Sequence, residues 1–410
     1  MTAHWRKRSA AIGAVLLLTV TLAGCVQEGS DRRTGSPSEI LKPPDPPGVE
    51  AKQLAALPPG KMLPLRKGEH RMTVAMPESY TPSAPTGVGT DDYRCFLLDP
   101  KLDKDVWLTG SHVLPGNPQV VHHVILFRVA PEQVAEAEQK DADDDGEGWT
   151  CFGGTGLKNE FTNIDDAPWL AAWAPGGDET KVRDGYGVKL AAGSRIVMQV
   201  HYNLLKGAAP DVSSTQLRWM KGSTDLTPVH TFQLPAPVEM PCRPNHDESP
   251  LCDRDAAVAD VMARFGNAGN TNSALHLLCG TAEGKPVPSN TTSCLRYAPR
   301  GMTILGVSGH MHLLGRKIKI EVNPGTPDAR TILDIPIWDF DNQGTKPLKE
   351  PLHIDQYDTV KVTCTHQQWL RDRLPAFEGQ PDRYIIWAEG STDEMCLGTL
   401  QVAFDDEAAS

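Results

Sequence analysis

Proline and glycine interrupt this chain so often that long helices are not expected to be its main element. The 410 residues include 34 Pro and 36 Gly, and both residue types end or weaken helices. From about residue 70 onward, apolar residues come in short runs such as "QVVHHVILFRV" and "GSRIVMQVHYNL". Short β-branched runs separated by turn residues are typical of strands. The sequence therefore predicts a mostly β fold.

Length and charge narrow the range of functions. A chain of 410 residues exceeds the usual size of one domain, so two domains with extra segments are expected. The net charge of -12 opposes binding to phosphate backbones, and no basic stripe interleaved with aromatic residues occurs. We expect no nucleic-acid partner.

The N-terminus has the pattern of an export signal. Basic residues at positions 6–8 precede an apolar stretch, residues 10–22, that is too short to span a bilayer as a mature helix. The stretch ends in "LAGC", which resembles the bacterial lipoprotein box, in which the cysteine, here Cys25, is lipidated. The sequence thus predicts a signal peptide at 1–25 and an exported bacterial lipoprotein anchored at the outer face of the cell membrane. An uncleaved anchor is the alternative, and it would also leave the body outside the cytoplasm.

Composition shifts predict the domain organisation. Residues 26–65 are rich in proline and poor in large apolar residues, so we interpret them as a flexible tether. Strand-like runs then predict an N-terminal body at 66–222 and a C-terminal body at 223–410. A cysteine-bearing and partly helical stretch near 242–290 is interpreted as an insertion in the second body.

Cysteine usage agrees with export. There are nine cysteines, and setting aside Cys25 leaves an even set of eight, which an exported protein is expected to oxidise to disulfides. No CxxC pair occurs, which argues against a zinc ribbon or a thioredoxin-like redox pair.

Three histidine groups lie in strand-like runs and are candidate metal ligands. In "GVSGHMHLLG", His310 and His312 would share one face of a strand, because alternate side chains point the same way. His122 and His123 are adjacent, so they could share an ion only if their strand is bulged, strongly twisted or ends there. His201 stands in a third run. Zinc, copper and iron all accept imidazole, so the histidines do not name the metal.

Two further residues extend the candidate site. Met395 stands beside Cys396 at the start of an apolar strand, and a thioether donor favours Cu(I) over zinc or magnesium. A methionine packed in the core is the alternative. Gln199 lies two residues before His201, on the same strand face, so it could orient that histidine from behind the metal, or it could be a surface amide.

Taken in chain order, these pieces resemble the copper type II ascorbate-dependent monooxygenases. The resemblance covers roughly residues 85–402, except the insertion. The matched stretches are "DDYRC" (91–95), "VVHHVILF" (120–127), "GWTCFGG" (148–154), "WLAAWAPGG" (169–177), "YGVKLAAGSRIVMQVHY" (186–202), "GHMHLLGRKI" (309–318) and "GSTDEMC" (390–396).

The resemblance implies two antiparallel β-sandwich (jelly-roll-like) domains in tandem, each holding one of two copper ions. The copper used for electron storage and transfer would be held by His122, His123 and His201. The catalytic copper, where dioxygen is activated, would be held by His310, His312 and Met395. The family reaction takes two electrons from ascorbate or another one-electron reductant. It inserts one oxygen atom into a C–H bond of a small-molecule substrate and reduces the other oxygen to water.

The family pattern also implies two disulfides, Cys95 with Cys151 and Cys364 with Cys396. Proximity in the chain suggests Cys279 with Cys294 and Cys242 with Cys252. Peptide amidation is not expected. Where the peptide-amidating members use an arginine, an asparagine and a tyrosine to hold a carboxylate, this chain has Ser308, Leu397 and Thr399.

Our first interpretation is a copper monooxygenase with membrane contact through the lipid anchor only. Its substrate, physiological reductant and oligomeric state are not indicated by the sequence. The alternative is a copper-binding lipoprotein for metal handling or electron transfer without oxygenase activity. A zinc hydrolase using His122, His123 and His201 is a third interpretation, but it leaves the second ligand set without a role. A structural β-sandwich adhesin would need no metal.

Overall fold

The computed structural model describes residues 62–84, 90–158, 164–175, 177–281 and 286–407. These residues all belong to one compact unit, Leu54–Ser410. The predicted signal peptide, Cys25 and residues 26–61 of the predicted tether lie outside the described residues. None of the helices in the described ranges is long and apolar enough to cross a membrane.

Strands dominate the described chain, so the prediction of a mostly β fold is confirmed. The strands before residue 222 are β1 (His70–Ala75), β2 (Asp91–Leu98), β3 (Val106–Leu114), β4 (Val121–Val129), β5 (Trp149–Thr150), β6 (Trp169–Trp173), β7 (Thr180–Lys181), β8 (Tyr186–Leu190), β9 (Arg195–Asn203) and β10 (Ser214–Lys221). The later strands are β11 (Thr227–Pro228), β12 (His230–Pro235), β13 (Glu239–Met240), β14 (Thr291–Tyr297), β15 (Met302–His310), β16 (Gly315–Val322), β17 (Arg330–Ile335), β18 (Lys346–Ile354), β19 (Thr359–His366), β20 (Ile385–Ile386) and β21 (Leu397–Phe404).

The strands form several antiparallel sheets. Strands up to β11 make one sheet in the order β1-β10-β3-β8-β11, with β7 beside β3, and a second in the order β5-β2-β9-β4-β6. The later strands make sheets in the orders β12-β21-β15-β18 and β14-β19-β16-β17, and a small pair, β13-β20. The short pairing of β11 with β8 is parallel.

Strand β9 shows how the first two sheets position the site. Ile196, Met198 and Val200 enter a core cluster that also contains residues of the facing sheet, such as Leu108 and Leu217. The alternate residues of β9 therefore point to the opposite face, which is buried as well. His201 lies on this second face, away from the core cluster that the two sheets share.

The later sheets enclose a separate core in the same manner. Burial alternates along β19, whose Val360 and Val362 pack in one cluster with Ile304, Leu400 and Val402 of the facing sheet. Apolar area removed from water contributes about 25 cal/mol per Å². Each pair of sheets thus has its own source of stability.

The helices are few and short. They are α1 (Val134–Asp143), α2 (Arg254–Phe265) and α3 (Thr271–Leu278), with 3-10 segments at Pro131–Gln133, Pro250–Cys252, Gly266–Asn270, Gln368–Asp372, Pro375–Phe377 and Asp405–Glu407. Asp253 caps α2, where its carboxylate accepts a hydrogen bond from the Ala256 N–H at 2.9 Å. Helices α2 and α3 both belong to the predicted insertion near 242–290.

All four predicted disulfides are present, so the pairing is confirmed. They join Cys95 to Cys151, Cys242 to Cys252, Cys279 to Cys294, and Cys364 to Cys396. The last of these ties β19 to the start of β21, next to Met395.

The body begins a few residues before the predicted boundary at 66. The Arg218 guanidinium donates to the carbonyl oxygens of Leu63 at 3.1 Å and Pro64 at 2.8 Å. Arg218 is fully buried, so these carbonyls supply acceptors that it requires. Leu63 and Pro64 are therefore hydrogen-bonded to β10 rather than part of the tether.

Gly309→Ala should destabilise the fold by about 1–3 kcal/mol through overpacking. A Cβ at Gly309 of β15 would lie 2.8 Å from Ile318 Cδ1 and 3.0 Å from Ile318 Cγ2, inside the second core. Gly344→Ala is the matched control, because a Cβ there meets nothing within 4 Å. Chemical denaturation of both variants measures the difference in unfolding free energy. Equal losses in the two would contradict this explanation.

Candidate metal centre

A β-bulge brings His122, His123 and His201 together. The register between β4 and β9 shifts between Val121 and His123, so one extra residue is accommodated in β4. The Nδ1 atom of His122 lies 3.2 Å from that of His123 and 3.3 Å from that of His201. The Nδ1 atoms of His123 and His201 are 3.1 Å apart. The bulge thus removes the geometric obstacle that adjacent histidines meet on a regular strand.

Asp91 determines which nitrogen of His201 faces this triangle. The carboxylate Oδ1 of Asp91 lies 2.7 Å from His201 Nε2. Burial by itself would raise the pKa of Asp91, but hydrogen bonds from His201, Ser391 and Thr90 outweigh it and lower the pKa. An ionised carboxylate only accepts hydrogen bonds, so Nε2 of His201 carries the proton and Nδ1 presents a lone pair.

Burial keeps the other two rings uncharged. Desolvation, followed by the influence of His201, lowers the pKa of both His122 and His123 well below 6.5. Neutral imidazole is the form that binds metals. The three Nδ1 atoms lie within 3.3 Å of one another. Two of them belong to neutral rings, and the third belongs to His201, whose proton is on Nε2. This arrangement fits a bound cation.

The second candidate set lies where β15 ends. His310 is the last residue of β15 and His312 follows in the turn, with ring centroids 5.1 Å apart, while Met311 packs in the core. The Gln343 Oε1 atom lies 2.6 Å from His310 Nδ1, so Nδ1 is the donor and Nε2 is left as an acceptor. Burial lowers the pKa of His310 to about 4, although the bond to Gln343 opposes this shift.

His312 is the least satisfied of these rings. It is 1% exposed, and apart from a weak interaction with the Gly390 backbone neither ring nitrogen has a hydrogen-bond partner in the described ranges. Burial, followed by the influence of His310, lowers its pKa well below 6.5, with the Gly390 backbone acting weakly against this. A buried polar atom without a partner costs about 1–3 kcal/mol, a cost that a bound metal would remove.

A buried carboxylate connects His312 to Met395. Glu394 accepts hydrogen bonds from the backbone N–H groups of His312 at 3.0 Å, Leu314 at 2.6 Å and Met395 at 3.2 Å. The neighbouring Cys396 is held by its disulfide to Cys364. The turn that carries His312 and the segment that carries Met395 are therefore fixed to the same side chain.

The two sets adjoin each other. The ring centroids of His123 and His310 are 5.6 Å apart. The loop between β17 and β18 covers both sets, because its Phe340 stacks on His122 with centroids 4.0 Å apart and its Gln343 bonds His310. The sequence did not indicate whether the cleft between the sets is open or closed, and the structure has it closed.

Gln199 has a different partner from the one the sequence suggested. It lies on the predicted face of β9 and is buried, but its amide donates to the Gly154 carbonyl at 3.0 Å. The side chain that orients His201 is Asp91, which sequence reasoning missed, as it missed Gln343 and Glu394. Asp91 and Glu394 were visible only as acids inside the motifs "DDYRC" and "GSTDEMC".

A cavity of about 790 Å³ opens onto both sets and is lined in part by His123, His310 and Met395. Tyr93 and Glu389 also line it. The Tyr93 ring stacks on His201 with centroids 4.1 Å apart, and its hydroxyl donates to the Glu389 carbonyl at 2.6 Å. Burial raises the pKa of the Glu389 carboxyl to about 8, against a bond from the Gly153 backbone that lowers it. The cavity therefore contains a carboxylic acid that is protonated at neutral pH.

Glu389→Gln should stabilise the protein at neutral and alkaline pH. Because the pKa of Glu389 rises from 4.5 to about 8 on folding, the folded chain holds a proton that the unfolded chain releases. The unfolding free energy then falls as the pH rises between these two values, by at most about 1.4 kcal/mol for each pH unit. Thermal unfolding near pH 5 and above pH 8 measures the gain, which should appear only at the higher pH. The exposed Glu378→Gln is the control, and an equal gain at both pH values would contradict the assignment.

Comparisons with known proteins give no family. No family model matches the sequence, and no curated protein matches it. A fucolectin from striped bass (Morone saxatilis) aligns over 78% of this chain and 85% of its own, with 8% identity and a TM-score of 0.19. Allantoicase from Saccharomyces cerevisiae aligns over 75% and 77%, with 8% identity and a TM-score of 0.15. A vicilin from Capsicum annuum aligns over 83% and 77%, with 6% identity and a TM-score of 0.14. None of these three is named as a copper enzyme, and TM-scores this low carry no argument about fold or function.

Proposed function

We propose that this protein is an exported, lipid-anchored copper monooxygenase that hydroxylates a C–H bond of a small organic substrate with dioxygen and a reductant such as ascorbate. Its two β-sandwich domains, predicted at 66–222 and 223–410 and with the first one extended to about residue 62, would each hold one copper ion. One observation carries the proposal. Two ligand sets adjoin, with the His123 and His310 rings 5.6 Å apart, and both contribute residues to the same cavity.

The donor atoms favour copper over zinc. Met395 lines the cavity together with His310, and a thioether donor is soft, so it favours Cu(I). A zinc hydrolase would need only His122, His123 and His201 with one open position for water. That alternative gives no role to His312, whose buried nitrogens have no partner in the described part of the chain beyond a weak interaction with the Gly390 backbone.

When bound, copper would supply the electrons, one at a time, for reduction of dioxygen, so that one oxygen atom enters the C–H bond and the other leaves as water with two protons. The chain's own residues prepare the site for this. Asp91 keeps the proton on His201 Nε2, and Gln343 keeps the proton on His310 Nδ1. Glu394 fixes the backbone of His312 and Met395. Neutral, oriented imidazoles need no rearrangement before they bind a metal.

The proposed location rests on the N-terminus and on the disulfides. The "LAGC" motif at Cys25 supports lipidation, and disulfides persist in oxidising compartments. The membrane would be contacted through this anchor only.

A copper-binding lipoprotein without oxygenase activity is the second candidate. It is favoured by Phe340, which stacks on His122 and shields that ring. A shielded centre would suit metal storage or electron transfer. Oxygen uptake that depends on an added substrate distinguishes the two, because only the monooxygenase should show it.

Met395→Leu should abolish a copper–sulfur bond without unfolding the protein. We expect two coppers per chain in the parent, and X-ray absorption of the ascorbate-reduced form should show a sulfur neighbour. Leu matches the volume of Met, so packing is kept, and the copper held by His122, His123 and His201 should remain. Met311→Leu is the matched control, because Met311 is a fully buried core residue. Fewer than two coppers, or a sulfur signal that survives in Met395→Leu, would overturn the proposal.

Asp91→Asn should weaken Cu(I) binding at the three-histidine set by about 10–100-fold, since partners that orient a ligating histidine have effects of this size. Asp92→Asn is the control. Asp92 is the neighbouring acid, and it accepts instead from the Tyr80 hydroxyl at 2.7 Å and the Ser83 N–H at 2.8 Å. Competition with a colorimetric Cu(I) chelator measures the affinity. A similar loss in both variants would mean that Asp91 has no specific role in holding His201.

A further inference from the structure

We propose that the 790 Å³ cavity is a binding site for an uncharged, mainly apolar small molecule, and that helix α3 of the insertion is its specificity-determining wall. The inference rests on the proposed function, because it names the class of substrate that would reach the two ligand sets. It adds a recognition element outside the stretches that carry the family resemblance.

The size and lining of the cavity indicate an apolar occupant. Its volume lies within the range of about 300–1,000 Å³ that is usual for small-molecule sites. Large apolar side chains surround it, and they include Phe152, Trp169, Trp173, Leu275, Trp387 and Leu397. Aromatic rings bury large areas of an apolar ligand and stack on flat ones.

The charges around the cavity disfavour an ionised occupant. No Lys or Arg is among the lining residues within the described ranges, so a carboxylate or phosphate would enter without a charged partner. The only acidic side chain among these lining residues is Glu389, and burial raises its pKa to about 8, so at neutral pH it is a neutral hydrogen-bonding group. An ammonium group would therefore also lack an ionised partner.

The positions where peptide-amidating relatives would bind a carboxylate have different chemistry here. Ser308 and Thr399 both line the cavity, and their hydroxyls are hydrogen-bonded to each other across the β15–β21 pair. Leu397, the first residue of β21, adds apolar surface. This part of the wall has no positively charged side chain to pair with a carboxylate, and its two hydroxyls already bond each other.

Helix α3 supplies another part of the wall. Thr271, Ala274, Leu275 and Leu278 line the cavity, and their spacing places them on one face of the helix. Leu277, outside the lining, is 85% exposed, compared with 40% for Leu278 and 6% for Leu275. One side of α3 thus faces the cavity and the other faces solvent.

This helix is held rigidly, as a specificity element requires. Asn272 accepts from the Val238 N–H at 3.0 Å and donates to Glu239 at 2.8 Å. His276 is hydrogen-bonded to the same Glu239 carboxylate at 2.7 Å. The disulfide between Cys279 and Cys294 joins the residue directly after α3 to β14.

The test measures binding, without turnover, by calorimetry on the full chain in its metal-free and copper-loaded forms. The probes are matched sets on naphthalene and biphenyl skeletons, each carrying a carboxamide, a carboxylate or an aminomethyl group. The neutral carboxamides should bind about tenfold or more tightly than the ionised members, because the site does not compensate a buried charge. Binding of the carboxylate or ammonium member as tightly as the carboxamide, or no binding by any member, would overturn the inference.

A matched pair of variants tests the role of α3. Ala274→Trp should fill the cavity and weaken carboxamide binding by about tenfold, whereas Ser273→Trp, on the adjacent exposed position outside the lining, should leave it unchanged. Equal effects would exclude α3 as a wall.

Copper content is measured separately on each protein. Loss of copper binding with intact ligand selectivity would count against the proposed function, whereas loss of selectivity with two coppers bound would count against this inference alone.

Discussion

The gathering of five imidazole rings in one place, four of them buried and that of His310 partly buried, is the constraint on which the rest of the structure depends. His122, His123 and His201 meet through their Nδ1 atoms, and the His310 ring lies 5.6 Å from that of His123 and 5.1 Å from that of His312. Rings this close repel when charged, and water is largely excluded from them. The chain must therefore direct their lone pairs, which requires acceptors at fixed positions behind them.

One short segment of the second half provides much of this control. The Ser391 hydroxyl donates to Asp91 at 2.6 Å, so the segment supports the carboxylate that orients His201. Three residues later, Glu394 fixes the turn that carries His312. Between them, Asp393 receives two hydrogen bonds from Arg264 of α2, at 2.6 and 2.8 Å. The insertion thus braces the segment that serves both ligand sets, and a bidentate bond of this kind fixes orientation as well as distance.

How much could be predicted from the sequence depends on how many residues apart the interacting positions lie in the chain. Strand alternation is local, so the mostly β fold could be anticipated, and so could the need for a bulge at His122. The shared strand face predicted for His310 and His312 is not what brings them together, because β15 ends at His310 and His312 lies in the turn that follows. The partners that orient the rings could not. Asp91 reaches His201 across 110 residues and Glu394 reaches His312 across 82, and no periodicity relates such pairs. Gln199 shows the same limit, since its strand face was predictable but its bond to Gly154 was not.

The candidate metal ligands and part of the cavity wall belong to different parts of the fold. The candidate ligands lie on or beside central strands, where pleat, bulge and disulfide leave side chains little freedom, and the resemblance to copper monooxygenases resides there. The cavity that these ligands face is closed partly by α3, within a stretch that the resemblance does not cover. A change in α3 can alter which molecule fits the cavity without moving a candidate metal-binding residue. The reason is that Asn272 and His276 anchor the helix to Glu239, which is not one of those residues. In the proposed monooxygenase, the same donor chemistry would therefore serve a substrate quite unlike a peptide with a terminal carboxylate.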